Sequence, residues 1–596
     1  MIVYGDPQFA TVLHSFLARL RRELANTAPS STDQLRAFLI QTGQLEQAVA
    51  DSDLPSGHPV IGLSQHLTDL AAAAFLNCCR EFSSSFPPVS PSCHDALARL
   101  ATLLSDAQHR FVDLPLVIKI PEGFEFYALY PEQYAHTALA WSTCHHGHDR
   151  SALVVGIRSI GTSLSALVSA TLRSLGWKTR RITVRPTGPP FERTVQLPPN
   201  ICDSAAHAII VDEGPGLSGS SMAAAAQSLI ATGFPRGNLA IFPGHDRAPG
   251  SAASPEVRQC WASIARYSTG FEALRYDGLP LINSLAGRAT GNCRSDFPQI
   301  EDLSGGLWRK FNYSDCLQWP AAAIPFERLK FRCSSSRGDS ILWKFAGLGA
   351  AGPHNETCAA QAFRRLTSRA DAAFTPPPLD LFRGFIATRW IPGTPLQSTD
   401  IRDPRVLDHI ARYLTHIAGP VLSGADHTSA IARLELILQT NIREVLGAES
   451  VDRALQIAAA FHRPPLCPST GDGHFAPHEW LRTPAGEILK LDATGHDLDH
   501  TITGPQPIYW DIASVLVEWQ LDQPATARLL KHLSTAGLQL DSSALAAFRL
   551  AYAAFRMGQS ALCRDALAAD PSEPDRLHRA FIRYRRQVEQ QLAEPC

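Results

Sequence analysis

Val211-Asp212-Glu213-Gly214-Pro215-Gly216-Leu217-Ser218-Gly219-Ser220-Ser221 places two acidic residues at the end of an apolar run, then a loop of small residues, then the start of a helical pattern. Glycines and serines let backbone N–H groups close around an anion, and the positive end of the following helix attracts the same charge. The adjacent carboxylates suit two sugar hydroxyls. A glycine turn after a strand is common by itself. Here a second loop of the same kind lies upstream, Val155-Gly156-Ile157-Arg158-Ser159-Ile160-Gly161-Thr162-Ser163, also closing an apolar run. Its arginine and backbone donors suit further phosphate groups.

Outward from these loops, short apolar runs alternate with helical periods. Ala152-Leu153-Val154-Val155, residues 179–185, Ala208-Ile209-Ile210-Val211 and Leu239-Ala240-Ile241-Phe242 predict strands. Residues 163–175, ended by Gly176, and 221–232 predict helices. The alternation implies a doubly wound parallel sheet, with both loops at carboxyl ends of strands, where open α/β sheets bind ligands.

Together the loops resemble the 5-phosphoribosyl-1-pyrophosphate (PRPP) site of the type I phosphoribosyltransferases, over residues 121–244. The resemblance implies that Asp212 and Glu213 bind ribose, and that Gly216, Leu217, Ser218, Gly219 and Ser220 hold the 5-phosphate. Gly156, Arg158, Ser159, Gly161 and Thr162 would hold pyrophosphate, with Arg158, Asp212 and Glu213 at the reacting centre and Mg2+ accompanying PRPP. Gly214, Pro215 and Leu217 depart from the family pattern, and no general base is assigned. Lys178, Arg180, Arg181, Arg185 and Arg193 fall where the family carries a basic loop over the diphosphate; the alternative is a solvated charged strand. No motif identifies the acceptor, although Tyr127, Tyr130, Glu132, His245 and Asp246 are candidates to lie near it.

Upstream, Leu13-Phe16-Leu17-Leu20 and Leu63-Leu67-Leu70-Ala74 have helical spacing, so residues 1–113 read as a helical N-terminal region. The phosphoribosyltransferase-like domain is then 114–300, followed by a connecting segment over 301–325 and a further domain over 326–596. In that last domain residues 327–333 and 341–345 flank a polar turn and predict a hairpin. Leu342-Trp343-Lys344-Phe345 buries a lysine that needs an anionic partner, for which Glu356 stands nearby in sequence. A snorkelling edge lysine is the bland alternative. Farther on, Gly471-Asp472-Gly473-His474-Phe475-Ala476-Pro477-His478-Glu479 precedes a strand ending in Asp492, and Trp510-Asp511-Ile512 follows.

This order resembles the aminoglycoside phosphotransferase and choline kinase group of protein kinase-like folds, over residues 326–518. The resemblance implies a two-lobed domain, ATP positioned by Lys344 and Glu356, and Mg2+ on Asp492. Asp511 would hold the catalytic loop. The family's His-Gly-Asp-x-x-x-x-Asn is altered here. Either Asp472 is the base in a shifted loop with Glu479 on the metal, or kinase chemistry has been lost.

Histidines suggest other metals. His474, His478, His496 and His500, with Asp492, Asp497 and Asp499, form one cluster; Cys144, His145, His146 and His148 form another. Neither spacing is that of a closed zinc site.

Composition sets the class. Over 596 residues, 45% hydrophobic and 18% charged is a globular balance, and length alone suggests several cores. The 54 basic and 56 acidic residues nearly cancel, which offers no field for nucleic acid or an anionic membrane. Only seven of the basic residues are lysines, so each weighs more. The 13 cysteines form no CxxC pair, and no apolar run spans a bilayer, which gives the expectation of a cytoplasmic protein with reduced thiols. A homo-oligomer is compatible with these features.

The expectation is a multidomain α/β and α+β enzyme acting on small molecules. One domain transfers phosphoribose from PRPP and the other phosphorylates a metabolite with ATP. One alternative is a PRPP- or nucleotide-binding sensor whose two domains are catalytically degenerate. Another is an active phosphoribosyltransferase gated by an inactive kinase-like domain.

Overall fold

The computed structural model describes residues 8–28, 31–55, 57–82, 90–111, 114–145, 149–189, 191–198, 201, 205–276, 278–288, 299–335, 338–349, 357–418, 427–463, 471–494, 496, 506–567 and 572–594. The chain divides into two compact units. One comprises Gln8–Arg294 and Gly347–Cys358; the other contains Ser295–Ala346 and Ala359–Cys596.

The first unit opens with β1 (Gln8–Val12), α1 (Leu13–Ala25), α2 (Thr32–Ala50), α3 (Pro59–Phe82) and α4 (Cys93–Arg110). Heptad-like spacing puts Leu13, Phe16, Leu17, Leu20 and Leu24 on the buried face of α1. Ser31 caps α2 by accepting the Gln34 N–H, and Ser92 caps α4 by accepting that of Asp95. Next come β2 (Pro115–Lys119), antiparallel to β1, the short α5 (Glu122–Glu125) and α6 (Pro131–Cys144).

The alternating part follows: β3 (Ser151–Ile157), α7 (Ile160–Ser174), β4 (Lys178–Val184), β5 (His207–Val211), α8 (Ser220–Ala231), β6 (Leu239–Phe242), α9 (Pro255–Ser263) and β7 (Ala265–Arg266). The strands form one parallel sheet in the order β4-β3-β5-β6-β7, as the alternation predicts. β3 and β5 are apolar almost throughout because helices cover both faces. Leu153, Val155, Ala208 and Ile210 pack with α8 and α9. On the other face, Ala166, Leu167 and Ala170 of α7 join the core of α1 to α4. The N-terminal helices therefore do not form the separate region expected over 1–113; they share a core with α7 of the alternating part. A small hairpin of β8 (Arg275–Tyr276) and β9 (Leu279–Pro280), then α10 (Leu281–Arg288), ends this stretch.

The second unit contains β10 (Gln299–Asp302), α11 (Arg309–Asn312), β11 (Lys330–Ser334) and β12 (Ser340–Phe345). After α12 (Cys358–Asp371) come β13 (Pro378–Phe382) and β14 (Phe385–Arg389). Its main sheet is antiparallel, in the order β10-β11-β12-β14-β13, and includes the expected hairpin. The segment expected as a connection belongs to this unit. Gln299–Asp302 is an edge strand, and Arg309 makes a buried, forked ion pair with Glu573 at 3.0 Å.

Beyond lie β15 (Thr394–Pro395), α13 (Pro404–Ile417), α14 (His427–Leu446), α15 (Glu449–Ala458), β16 (Trp480–Arg482) and β17 (Ile488–Lys490), then α16 (Ile508–Glu518), α17 (Gln523–Thr535), α18 (Ser542–Ala566) and α19 (Glu573–Ala593). The helices bury one large core centred on α16 and α18. β15, β16 and β17 form a three-stranded sheet at its edge. No described helix is long and apolar enough to cross a membrane.

Candidate functional site

In the parallel-sheet unit β4 lies on one side of β3, and β5, β6 and β7 lie on the other. The loops after β3 and β5 therefore flank the switch point at the carboxyl edge of the sheet. Their glycines are required sterically. A Cβ on Gly156 would stand 2.2 Å from the Gly161 oxygen, and one on Gly161 would stand 2.5 Å from the Val211 oxygen. In the second loop Gly216 and Gly219 have φ of +54 and +64, and Gly219 is the N-cap of α8. Gly250 and Ala252 brace the loop by donating N–H groups to the oxygens of Gly216 at 3.0 Å and Leu217 at 3.2 Å. The Ser218 hydroxyl accepts the Ser220 N–H at 3.3 Å, completing the turn onto the helix.

The acid pair is anchored beside this turn. Asp212 Oδ1 accepts the Glu213 N–H at 2.9 Å, and the Tyr134 hydroxyl donates to the Asp212 backbone oxygen at 2.7 Å. Glu213 Oε2 accepts the Gly123 N–H at 2.9 Å. Burial pushes the Asp212 carboxyl up to about 7, against the pull of the Glu213 N–H and Arg185. Glycine at 214 makes room for His245, whose Nε2 would lie 2.7 Å from a Cβ there. Burial and Arg247 draw His245 down to about 4, against Asp246, so it stands as a neutral imidazole near the acids.

The arginines correct the sequence reading. Arg158 is not a free cation for pyrophosphate: it donates to the Ala50 oxygen at 2.9 Å, Asp51 Oδ1 at 2.6 Å, and the side chain and backbone of Thr183. Arg185 holds the same Asp51 carboxylate and donates to the Arg158 oxygen at 2.7 Å. Arg181 is buried against Glu46 and Asp69, each at 2.8 Å. Acids on and just after α2 and on α3 thus take up Arg158, expected on pyrophosphate, and Arg181 and Arg185, expected in a basic loop over the diphosphate, while Lys178 and Arg180 are exposed on β4. Glu132 is likewise taken by Arg36, which also covers the buried Tyr130 ring. Neither remains a candidate for acceptor binding. Ser159 is the N-cap of α7 without a side-chain cap bond, and the buried Thr162 hydroxyl has no hydrogen-bond partner.

The antiparallel-sheet unit contains a cavity of about 230 Å3 whose lining includes Lys330, Lys344, His474, Glu479, Asp492 and His496. Lys330 and Lys344 face each other across β11 and β12. Like charges directly opposed are unfavourable without an anion between or beside them. Lys344 pairs with Asp492, just beyond β17, and Lys330 lies 3.9 Å from Glu327. Lys490, fully buried, donates to Glu479 Oε2 at 2.7 Å and lies 3.4 Å from Asp472 Oδ1. Three of the seven lysines thus converge on Glu479, Asp492 and Asp472.

Asp511 organises the loop below. Its Oδ1 accepts the N–H groups of Asp472 at 3.2 Å and Gly473 at 2.7 Å. Burial pushes Asp511 up to about 7, with the Gly473 N–H opposing and Asp472 adding to the rise. Asp472 itself is fully buried, accepts the Tyr413 hydroxyl at 2.7 Å and does not line the cavity. It is therefore not placed as a catalytic base; its carboxylate faces inward to Tyr413 and Lys490. Glu356, the expected partner of Lys344, lies outside the described residues. Although burial opposes ionisation, His474 and Lys490 hold Glu479 below the usual carboxylate range, and Lys344 and His496 do the same for Asp492.

His478 also lines the cavity, stacked on Trp308 with centroids 5.5 Å apart. His500, Asp497 and Asp499 lie outside the described residues, as do His146 and His148 of the second cluster. There, His145 stacks on Trp141 at 4.3 Å.

Magnesium takes oxygen donors in near-octahedral geometry. Asp492 and Glu479 offer oxygens, but Lys344 and Lys490 already neutralise them, and two imidazoles crowd the same place. This donor set does not fit an all-oxygen Mg2+ cradle.

Local motifs did not reveal Asp51, Tyr413, Lys490 or Glu518, which act through distant parts of the chain. The scarcity of lysine was the one usable signal, and it applied to Lys330 and Lys490 as well as Lys344.

No family model matches the chain, and no curated protein matches its sequence. Among solved structures, it is similar to choline kinase LicA from Streptococcus pneumoniae at 13% identity and a TM-score of 0.32, over 44% of this chain and 89% of that one. Macrolide 2'-phosphotransferase MphH from Brachybacterium faecium gives 14% and 0.31, over 53% and 99%. A putative aminoglycoside phosphotransferase from Ralstonia eutropha gives 10% and 0.34, over 52% and 96%. At scores this low the likenesses decide neither the fold nor the activity of this chain, and the site stands on its own geometry.

Proposed function

We propose that the antiparallel-sheet unit binds ATP in its cavity and transfers a phosphoryl group to a small-molecule hydroxyl, and that the parallel-sheet unit is a PRPP site. The observation carrying the first part is the meeting of Lys344 and Asp492 in a cavity above a loop pinned by Asp511. Phosphoryl transfer asks mainly for positioning and charge stabilisation. Lys344, opposed by Lys330, presents positive charge to the donor phosphates. Asp511 fixes the loop, and Lys490 orients Glu479. No step is routed through Mg2+, which the donor set does not suit.

Support for the PRPP site is the pair of glycine loops at the switch point, with Asp212 and Glu213 beside the N-terminus of α8. The Asp212 and Glu213 carboxylates would take the ribose hydroxyls, and residues 216–220 the 5-phosphate. Transfer of phosphoribose to an acceptor is the finer form of this reading.

The test is direct. Full-length protein should consume ATP in the presence of a panel of amino alcohols, nucleosides and sugars, and Lys344→Met should remove that activity. If calorimetry finds no ATP binding to the wild-type chain, the phosphotransfer reading fails. PRPP titration should show binding that Asp212→Asn weakens, and pyrophosphate release with an acceptor would establish transfer. Asp472 burial favours a second reading, in which the cavity binds nucleotide without chemistry. Tight ATP and PRPP binding with no product across the panel would select it.

A further inference from the structure

The donors that do not suit magnesium suit a different metal. We propose that His474, Glu479 and His496 form a site for a borderline divalent transition ion of the zinc or cobalt class, with an open coordination position facing the cavity. Among the described residues, this is the one group of three or more His, Cys, Asp or Glu side chains with a donor atom from each within 4.8 Å of the others. All three line the cavity.

The separations are informative. His496 Nε2 is buried without a hydrogen-bond partner, 3.9 Å from Glu479 Oε1 and 3.6 Å from Asp492 Oδ1. These gaps are too long for hydrogen bonds. Two donors each about 2.1 Å from one metal stand roughly 3.0–4.2 Å apart for bond angles from about 90° upward. His474 directs Nδ1 at the same Glu479 oxygen, and the two imidazole centroids are 5.3 Å apart. A metal would take the place of the proton between His474 Nδ1 and Glu479, and a small shift of the carboxylate would accommodate it.

The surroundings agree. His474 Nε2, buried and without a hydrogen-bond partner, faces Glu518 Oε1 at 3.8 Å. With Nδ1 on a metal, the remaining ring proton belongs on Nε2, directed at that carboxylate, as in many carboxylate–histidine–metal arrangements. Glu518 is fixed by Tyr552 at 3.0 Å and Tyr584 at 2.8 Å, with Arg556 and Arg583 each at 3.1 Å. Lys344 meanwhile occupies Asp492, and Lys490 holds Oε2 of Glu479, so the carboxylate donor toward the two imidazoles is Glu479 Oε1. Two imidazoles and one carboxylate match a site with three protein ligands and a position left for water or a phosphate oxygen, and neutral imidazole selects zinc or cobalt over magnesium.

The inference stands on ligand geometry and holds whether or not the cavity transfers phosphate. Full-length protein, stripped with chelator and with its thiols alkylated, should bind one equivalent of Co2+ or Zn2+, tighter than Mg2+ by at least about 100-fold. The Co2+ form should show visible absorption typical of nitrogen and oxygen ligands in low coordination. His474→Asn and His496→Gln should each weaken binding by about 100-fold or more, while His532→Gln, a histidine outside the cavity, leaves it unchanged. An anomalous-scattering peak within bonding distance of His474, Glu479 and His496 provides a location that does not depend on variants. The proposal is overturned if the double variant His474→Asn/His496→Gln binds as tightly as the wild type, if Mg2+ binds at least as tightly as Co2+, or if the anomalous peak lies elsewhere.

Discussion

The two candidate sites are built from opposite materials. At the parallel sheet, glycine turns and the N-terminus of α8 lie at the carboxyl edge of the strands, while Arg158, Arg181 and Arg185 are consumed by Asp51, Glu46 and Asp69. In the antiparallel-sheet unit, Lys330 and Lys344 reach the cavity itself, and the nearby acids are what they meet. The difference teaches that counting cations near a loop does not measure binding charge. What matters is whether a cation, once paired, still lines a cavity: Lys344 does beside Asp492, whereas Arg181 is buried against Glu46 and Asp69.

The largest expected effect tests the structural arginine. Arg181→Met leaves Glu46, almost fully buried, without its partner. Losing one half of a buried pair typically costs about 3–5 kcal/mol, so denaturant unfolding of the parallel-sheet unit should move by that amount. PRPP affinity measured under folding conditions should stay the same. A selective loss of affinity with stability intact would return Arg181 to the binding surface and break the contrast.

Lys344→Met should show the reverse. If Lys344 stabilises the transferring phosphate as proposed, its removal should lower turnover by roughly 100- to 1000-fold, read by steady-state kinetics, and leave PRPP binding in the other unit unchanged. Next in size is Gly219→Ala. Gly219 sits at positive φ, where a Cβ costs about 1–2 kcal/mol, and the phosphate turn should be loosened with it. PRPP affinity should fall on the order of 10-fold, measured by calorimetry.

The smallest effect is a pH dependence. Asp212 is pushed up to about 7 in the folded unit, above its value in an unfolded chain, so the native state holds its proton longer. Its contribution to the stability of the empty unit is fully present at acid pH and is lost as pH rises through about 7. Ligand binding runs the other way, because ribose hydroxyls favour the ionised acceptor. PRPP affinity should rise from pH 6 to 8, with about one proton or less released per ligand near pH 6.5. Asp212→Asn should abolish that release, measured from calorimetric enthalpies in buffers of different ionisation heat.

The sequence was legible where structure depends on neighbours in the chain. Alternating strands and helices from Ser151 to Phe242, the hairpin around residues 335–339 and both glycine loops follow from local period and turn chemistry. Pairings across long separations were not legible. Lys344 finds Asp492 at a separation of 148 residues, and Arg158 finds Asp51 at 107. Asp472 illustrates the limit of a motif. Its Gly-Asp setting suggested a base, yet Tyr413 on α13 turns the carboxylate inward. Domain boundaries failed for a similar reason. α7 carries small residues that suit the helices before it as well as the strands beside it, and only packing reveals that α1 to α4 share its core.

The segment Gly347–Cys358 belongs to the first unit although the chain before and after it belongs to the second. Leu348 donates its N–H to the Phe124 oxygen at 3.0 Å, and Cys358 donates to Gly349 at 3.0 Å. No single cut therefore yields both units whole. A polypeptide ending near residue 294 lacks part of its own unit, and one beginning there carries a strip of chain that packs elsewhere. Gene-level dissection of this protein calls for a circular rearrangement, or a supplied peptide, in place of a simple truncation.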